Sequence, residues 1–217
     1  MLQAFAGLFH QFQQVPEGSF YFFCGLAGYF VFQWVFFRPI RTYVFGHELT
    51  HAMAAWMTGG EVRRFHVSKK GGSVTVTKTN VFVALAPYII PLYALLLLGI
   101  FYGVNFFYDL HRWWIFFLMV LGAAVGFHIS LTVFALRQNQ PDLRMAGTFL
   151  SGVLIFLGNA LCVVFLLGIL FPRTVSWTHF FRQSSRQTAG VYKNIGLVIY
   201  RLAASAENKD SRHAGRS

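Results

Sequence analysis

The densest chemistry in the chain is a five-residue run, His47-Glu48-Leu49-Thr50-His51. On a helix, residues i and i+4 share a face, so both imidazoles can reach one zinc ion at roughly 2.0–2.1 Å while Glu48, beside the first, addresses a water there. The His-Glu-x-x-His pattern fixes only three positions and arises by chance in soluble proteins. Here it lies in an apolar segment, Thr42–Thr58, and a glutamate deep in such a segment is costly unless it faces a polar cavity and has a partner. A polar cluster that only packs helices, with no metal, is the bland alternative.

Zinc needs a third protein ligand if a fourth position is to hold water. Glu61 lies ten residues after His51, but Gly59-Gly60 precedes it, which places it at an interface as a solvated strand residue. His128 precedes Arg137 by nine residues and His51 precedes Gly59 by eight, so in helices running the same way both lie roughly 12–14 Å from one surface. A lone membrane histidine is interior and functional or hydrogen-bonded, as a ligand or as a group that orients ligands or polarises substrate. Asp142 sits in the loop on that same side behind Pro141, where its bland role is a helix-capping acid. Spacing alone leaves Asp142 and His128 nearly even.

The elements that must position these residues are hydrophobic. The 217-residue chain is 56% hydrophobic, 18% aromatic and only 12% charged, with mean hydropathy +0.53, which excludes an ordinary soluble domain. Gly18–Phe37, Thr79–Tyr108, Trp113–Leu136 and Met145–Pro172 contain no Asp, Glu, Lys or Arg, and each is long enough to cross the roughly 30 Å hydrocarbon core as a helix. Residues 42–58 form a fifth, shorter apolar segment, set off by Arg38-Pro39-Ile40-Arg41 and ended by Gly59-Gly60. The expected fold is an all-α polytopic membrane protein with about five transmembrane helices. Met1–Ser19 has no Lys or Arg and no small-residue cleavage signature, so the first span is expected to be retained.

Between Glu61 and Thr79 the pattern changes to alternation around Lys69-Lys70-Gly71-Gly72, which predicts a small β-hairpin with a Gly-Gly turn. Pro87 and Pro91 predict a kink or unwound turn near the start of the next span. Three regions follow: an N-terminal segment with the first span over 1–41, a membrane-embedded core over 42–172 with the hairpin at 61–79, and a basic polar tail over 173–217. Eighteen Lys+Arg against seven Asp+Glu give +11, and eight of the cations lie after Pro172. An anionic membrane surface explains that tail at least as well as nucleic acid, which is not expected as a partner. Val191, Ile195, Val198 and Leu202 recur at helical spacing within Val191–Ala203, and the last fifteen residues read as disordered. The hairpin's five cations and the tail's eight fall on opposite sides of a five-span chain, so charge counting assigns no orientation. Cys24 and Cys162 both lie in apolar stretches and read as small buried hydrophobes.

Gly46-His47-Glu48-Leu49-Thr50-His51-Ala52, with Gly59-Gly60 and the hairpin after it, resembles the metal-binding helix of the site-2 protease family of intramembrane zinc metalloproteases. The likeness is to its compact bacterial branch without a PDZ domain and covers about residues 42–160. Asn139-Gln140-Pro141-Asp142 is similar to the family's second motif, Asn-Pro-Asp-Gly or Leu-Asp-Gly, although Leu143 stands where the family usually has glycine. The resemblance implies that Asp142, ahead of His128, completes a zinc site with His47 and His51. It implies a multi-pass protein of the bacterial inner membrane that hydrolyses peptide bonds of membrane protein substrates. Glu48 would be the general base and then the proton donor, with His128 or Asn139 stabilising the oxyanion. The competing expectations are a non-proteolytic membrane scaffold that keeps a structural zinc site, a prenyl-protein protease, and a histidine-box lipid oxidase. The last needs several clustered histidine boxes, and one pair at helical spacing is present.

Overall fold

The computed structural model describes residues 18–68, 71–138, 141–171 and 177–214. The helices are α1 (Ser19–Val35), α2 (Ile40–Met57), α3 (Val81–Ile89), α4 (Leu92–Phe107), α5 (Trp114–Leu136), α6 (Thr148–Leu170) and α7 (Trp177–Ala214). Strands β1 (Val62–Ser68) and β2 (Gly71–Val76) lie between α2 and α3, and 3-10 turns at His111–Trp113 and Pro141–Arg144 precede α5 and α6. The chain divides into two compact units, one of them Glu17–Leu166 and the other holding the chain from Leu167 onward.

The larger unit is built on close helix approach. In α5, Gly122 and Gly126 are four residues apart, and a Cβ on Gly122 would overlap the Phe22 backbone of α1. A Cβ on Gly25 would in turn overlap the Met119 backbone. Small residues let two backbones approach this closely, which is how helices associate where lipid removes the hydrophobic drive between them. One polar link crosses the same seam, since Gln33 Oε1 accepts from Ser130 Oγ at 2.7 Å.

Two helices among the described residues are long and apolar enough to cross a membrane: residues 111–136 and Thr148–Leu170. The pair α3–α4, bent by 69° at the break, counts as a third if it is one span. The expected count of about five is not reached by length and composition. The α1 helix has only 17 residues, and α2 carries Arg41, Glu48 and two histidines within its 18. Outward side chains such as Trp34, Phe106 and Phe149 are exposed, which suits lipid.

The kink expected from the prolines is a complete break at Ile90-Pro91. Carbonyls that the break frees are taken up by α6: Asn159 Nδ2 donates to Tyr88 O at 2.7 Å, and Cys162 Sγ lies 3.4 Å from Ile89 O. Irregular backbone at membrane depth persists only when such groups are satisfied inside the protein. Cys162 is therefore half-buried with a backbone partner.

Helix α2 ends as its two glycines imply. Gly59 is left-handed at φ 73°, and the bonds Gly60 N to Ala55 O at 2.8 Å and Gly59 N to Trp56 O at 3.1 Å close it. The hairpin corrects one expectation. Ser68 pairs with Gly71 and Val67 with Gly72, so Gly71-Gly72 begins β2 and does not form the turn. Lys69-Lys70 lies outside the described residues, as do Asn139 and residues 1–17. Glycine is needed at position 72 for another reason: its Cβ would sit 2.6 Å from Val44 Cγ1 and 2.8 Å from Glu48 Oε1.

In the second unit, α7 continues to Ala214, through residues expected to be disordered. Its Leu202–Ala206 stretch is rich in alanine, which has the strongest helix propensity.

The glycine seam makes a paired prediction. Gly122→Ala is expected to lower the unfolding free energy of detergent-solubilised protein by about 1–3 kcal/mol, the range for overpacking. Gly99→Ala adds its methyl where nothing lies within 4 Å and should be neutral or stabilising.

Candidate metal centre

Helix α2 presents His47 and His51 on one face, and that face is held in place from several sides. Ala54 and Ala55 pack on Val83 and Ala86, and a Cβ on Gly46 would strike the Tyr93 ring. The two imidazoles stand edge to face with centroids 4.8 Å apart. Tyr43 precedes His47 by one turn and continues the stripe, its hydroxyl 3.2 Å from His47 Nδ1. With the proton on Nδ1, directed at the Tyr43 oxygen, His47 Nε2 presents its lone pair.

His51 is oriented by an unusual acceptor. Its Nδ1 lies 2.8 Å from the Val83 carbonyl, and that carbonyl would ordinarily take the amide of residue 87. Residue 87 is proline, inside α3, and has no N–H to give. The proline therefore frees the acceptor that fixes the His51 tautomer and points Nε2 away from α3, the partner arrangement typical of metal-ligating histidines.

Asp142 arrives from the 3-10 turn Pro141–Arg144. The turn is seated by Leu143, which is buried with Leu85, Tyr88, Ala135 and Ile155, and by Ser151 Oγ, which donates to Leu143 O at 2.9 Å. Leu143 is thus an anchor for its neighbour. Asp142 Oδ2 accepts from Tyr88 OH at 3.0 Å and lies 3.6 Å from His47 Nε2 and 3.4 Å from His51 Nε2. Burial by itself would raise the Asp142 carboxyl. When their Nε2 atoms carry protons instead of a metal ion, the His47 and His51 imidazoles facing it, with the Tyr88 hydroxyl, more than offset this and hold it well below the ordinary carboxylate range.

His47, His51 and Asp142 can therefore hold a metal ion, with one donor atom from each, all within 4.8 Å of one another. Two ligands at 2.0–2.1 Å from a tetrahedral ion are separated by roughly 3.3 Å, close to the observed Nε2 to Oδ2 distances. The two nitrogens and one carboxylate oxygen suit a borderline cation such as zinc.

The donors open on a cavity of about 570 Å³ that Glu48, Gly72 and Val74 also line. Glu48 is 8% exposed. The bare backbone of Gly72 lies over it. Helix α2 thus supplies two candidate ligands and an acid, the turn supplies a third candidate, and β2 roofs the acid.

The other candidates lie elsewhere. His128 Nε2 is 3.2 Å from Asn159 Oδ1, and His128 faces a second cavity of about 20 Å³ that touches His47, outside the donor group. Glu61 is exposed at the mouth of the hairpin, paired through its backbone with Thr77. Tyr43, Tyr88, Gly72 and the Pro87-freed carbonyl were not recognised from sequence. Only Tyr43 had a readable signal, its i−4 spacing from His47.

Comparison of the chain with models of protein families, with curated proteins and with solved structures finds no match.

Metal content separates the two third-ligand candidates. Asp142→Ala is expected to lose bound metal and His128→Ala to keep it, measured as metal per mole of purified protein. Pro87→Ala restores an amide that competes for Val83 O, and Tyr88→Phe removes the donor to Asp142. Each is expected to weaken metal affinity about 10–100-fold in chelator competition, the range for partners of metal ligands.

Proposed function

We propose that the chain is a zinc-dependent intramembrane endopeptidase acting on membrane-embedded protein substrates. In this reading the five apolar segments α1, α2, α3–α4, α5 and α6 lie in the membrane, the inner membrane of a bacterium, and zinc is held by His47, His51 and Asp142. The observation that carries the reading is that three donors converge beside a buried acid in one open cavity. Structural zinc sites close all four positions with protein ligands. Among the described residues only three donors converge, which favours turnover over a scaffold with a structural ion. The same single group disfavours a di-iron oxidase, which needs more histidines.

When bound, zinc supplies Lewis acidity, polarising a scissile carbonyl and bringing the pKa of a water towards about 7. Glu48 then acts as general base, taking a proton from the water and returning it to the leaving amine. The bare Gly72 backbone lies against its carboxylate, and Glu48 still lines the cavity. A substrate helix must unwind before a peptide bond is exposed, since helical backbone groups in lipid are bonded internally. The β2 strand beside Glu48 offers backbone groups with which an extended segment could pair.

Glu48→Gln is expected to keep stoichiometric zinc and lose hydrolysis by about 10²–10⁴-fold, the usual contribution of a general base. The measurement is the set of new peptide N-termini within apolar segments of membrane proteins, in cells expressing wild type or Glu48→Gln. Identical sets would sink the peptidase reading. Removing metal with a chelator should abolish cleavage in membranes, and added zinc should restore it.

A further inference from the structure

Helix α7 differs in chemistry from every helix before it. Phe181, Val191, Tyr192, Ile195 and Val198 are exposed, and at 3.6 residues per turn they fall within one arc of about 120°. Arg182, Arg186 and Lys193 fall within an arc of about 40° on nearly the opposite side. Leu197 is the exception, an exposed apolar residue in the polar arc. Between Trp177 and Ala206 the sequence holds four Lys and Arg and no Asp or Glu.

An exposed apolar stripe of this length needs a partner, and the row of cations restricts which one. A second copy of α7 could cover the stripe but would bring the same unmatched cations, because the acids of this helix, Glu207 and Asp210, come after the stripe ends. An acidic bilayer surface answers both faces at once. The stripe sinks to the boundary between headgroups and acyl chains, and the long cationic side chains reach lipid phosphates. Tyr192 is an aromatic type favoured at that depth.

We propose that α7 lies in the plane of the membrane interface and docks acidic phospholipids through Arg182, Arg186 and Lys193, with its apolar stripe buried in the bilayer. The docking is independent of the metal centre and of any peptidase activity.

The test uses the full chain with Cys24→Ser and Cys162→Ser, reconstituted in phosphatidylcholine vesicles with or without phosphatidylglycerol. Single nitroxide labels are placed on Val191→Cys, Lys193→Cys, Ile195→Cys and Val198→Cys. With phosphatidylglycerol, the labels at 191, 195 and 198 are expected to be accessible to oxygen and protected from a water-soluble nickel reagent, and the label at 193 the reverse. Replacing Arg182, Arg186 and the unlabelled Lys193 by Gln should lower the docked population, by roughly fivefold per cation at low salt. As a readout without charge variants, added salt should release the helix. Four labels all open to water, dipolar broadening between copies at 191, or docking indifferent to both phosphatidylglycerol and salt would each overturn the proposal.

Discussion

Burying two imidazoles and a carboxylate among apolar helices is tolerable only if each of their polar atoms has a partner. That requirement organises the region around the centre. Each histidine has one nitrogen assigned to a neighbour, Tyr43 Oη or Val83 O, and the other directed at Asp142. Asp142 is met by Tyr88, and the Tyr88 carbonyl is met by Asn159, which also faces His128. A chain of satisfied groups therefore runs from α2 through α3 to α6. The broken span is part of it, because Pro87 and the interruption at Ile90-Pro91 leave carbonyls for side chains to take.

The rest of the larger unit keeps that chain in register. Glycine contacts between α1 and α5 bring two backbones nearly into touch, so neither helix can slide without a clash. The end of α5 then delivers the turn bearing Asp142, and Ala135 near that end packs in the same cluster as Leu143 and Tyr88. Rigidity in the α1–α5 pair is thereby passed to a candidate ligand that sits on irregular backbone.

Much of this was legible in the sequence, and the failures have identifiable causes. The His47 and His51 spacing, the glycine stop at Gly59-Gly60 and the proline break are local signals, each set by neighbours within a few residues. The choice between Asp142 and His128 was not local, since both fall on one side of the chain, and it turns on how Leu143 and Ser151 seat a short turn. Gly71-Gly72 reads as a turn in the sequence because glycine serves tight turns and close approaches alike, and only the strand register separates them. Tyr88 had no periodic relation to Asp142, so nothing in either segment announced their contact. Length and composition alone bear out two or three of the five expected spans, because α1 is short and α2 partly polar.

The metal donors are supplied by segments far apart along the chain, α2 and the turn before α6. An ion held between them is therefore a removable cross-link, closing a long loop that the unfolded chain leaves open. Its chemical potential becomes a variable of the folding equilibrium: a hundredfold excess over the dissociation constant adds about 2.7 kcal/mol to the native state. The supply of metal in the cell would then govern how long the protein survives.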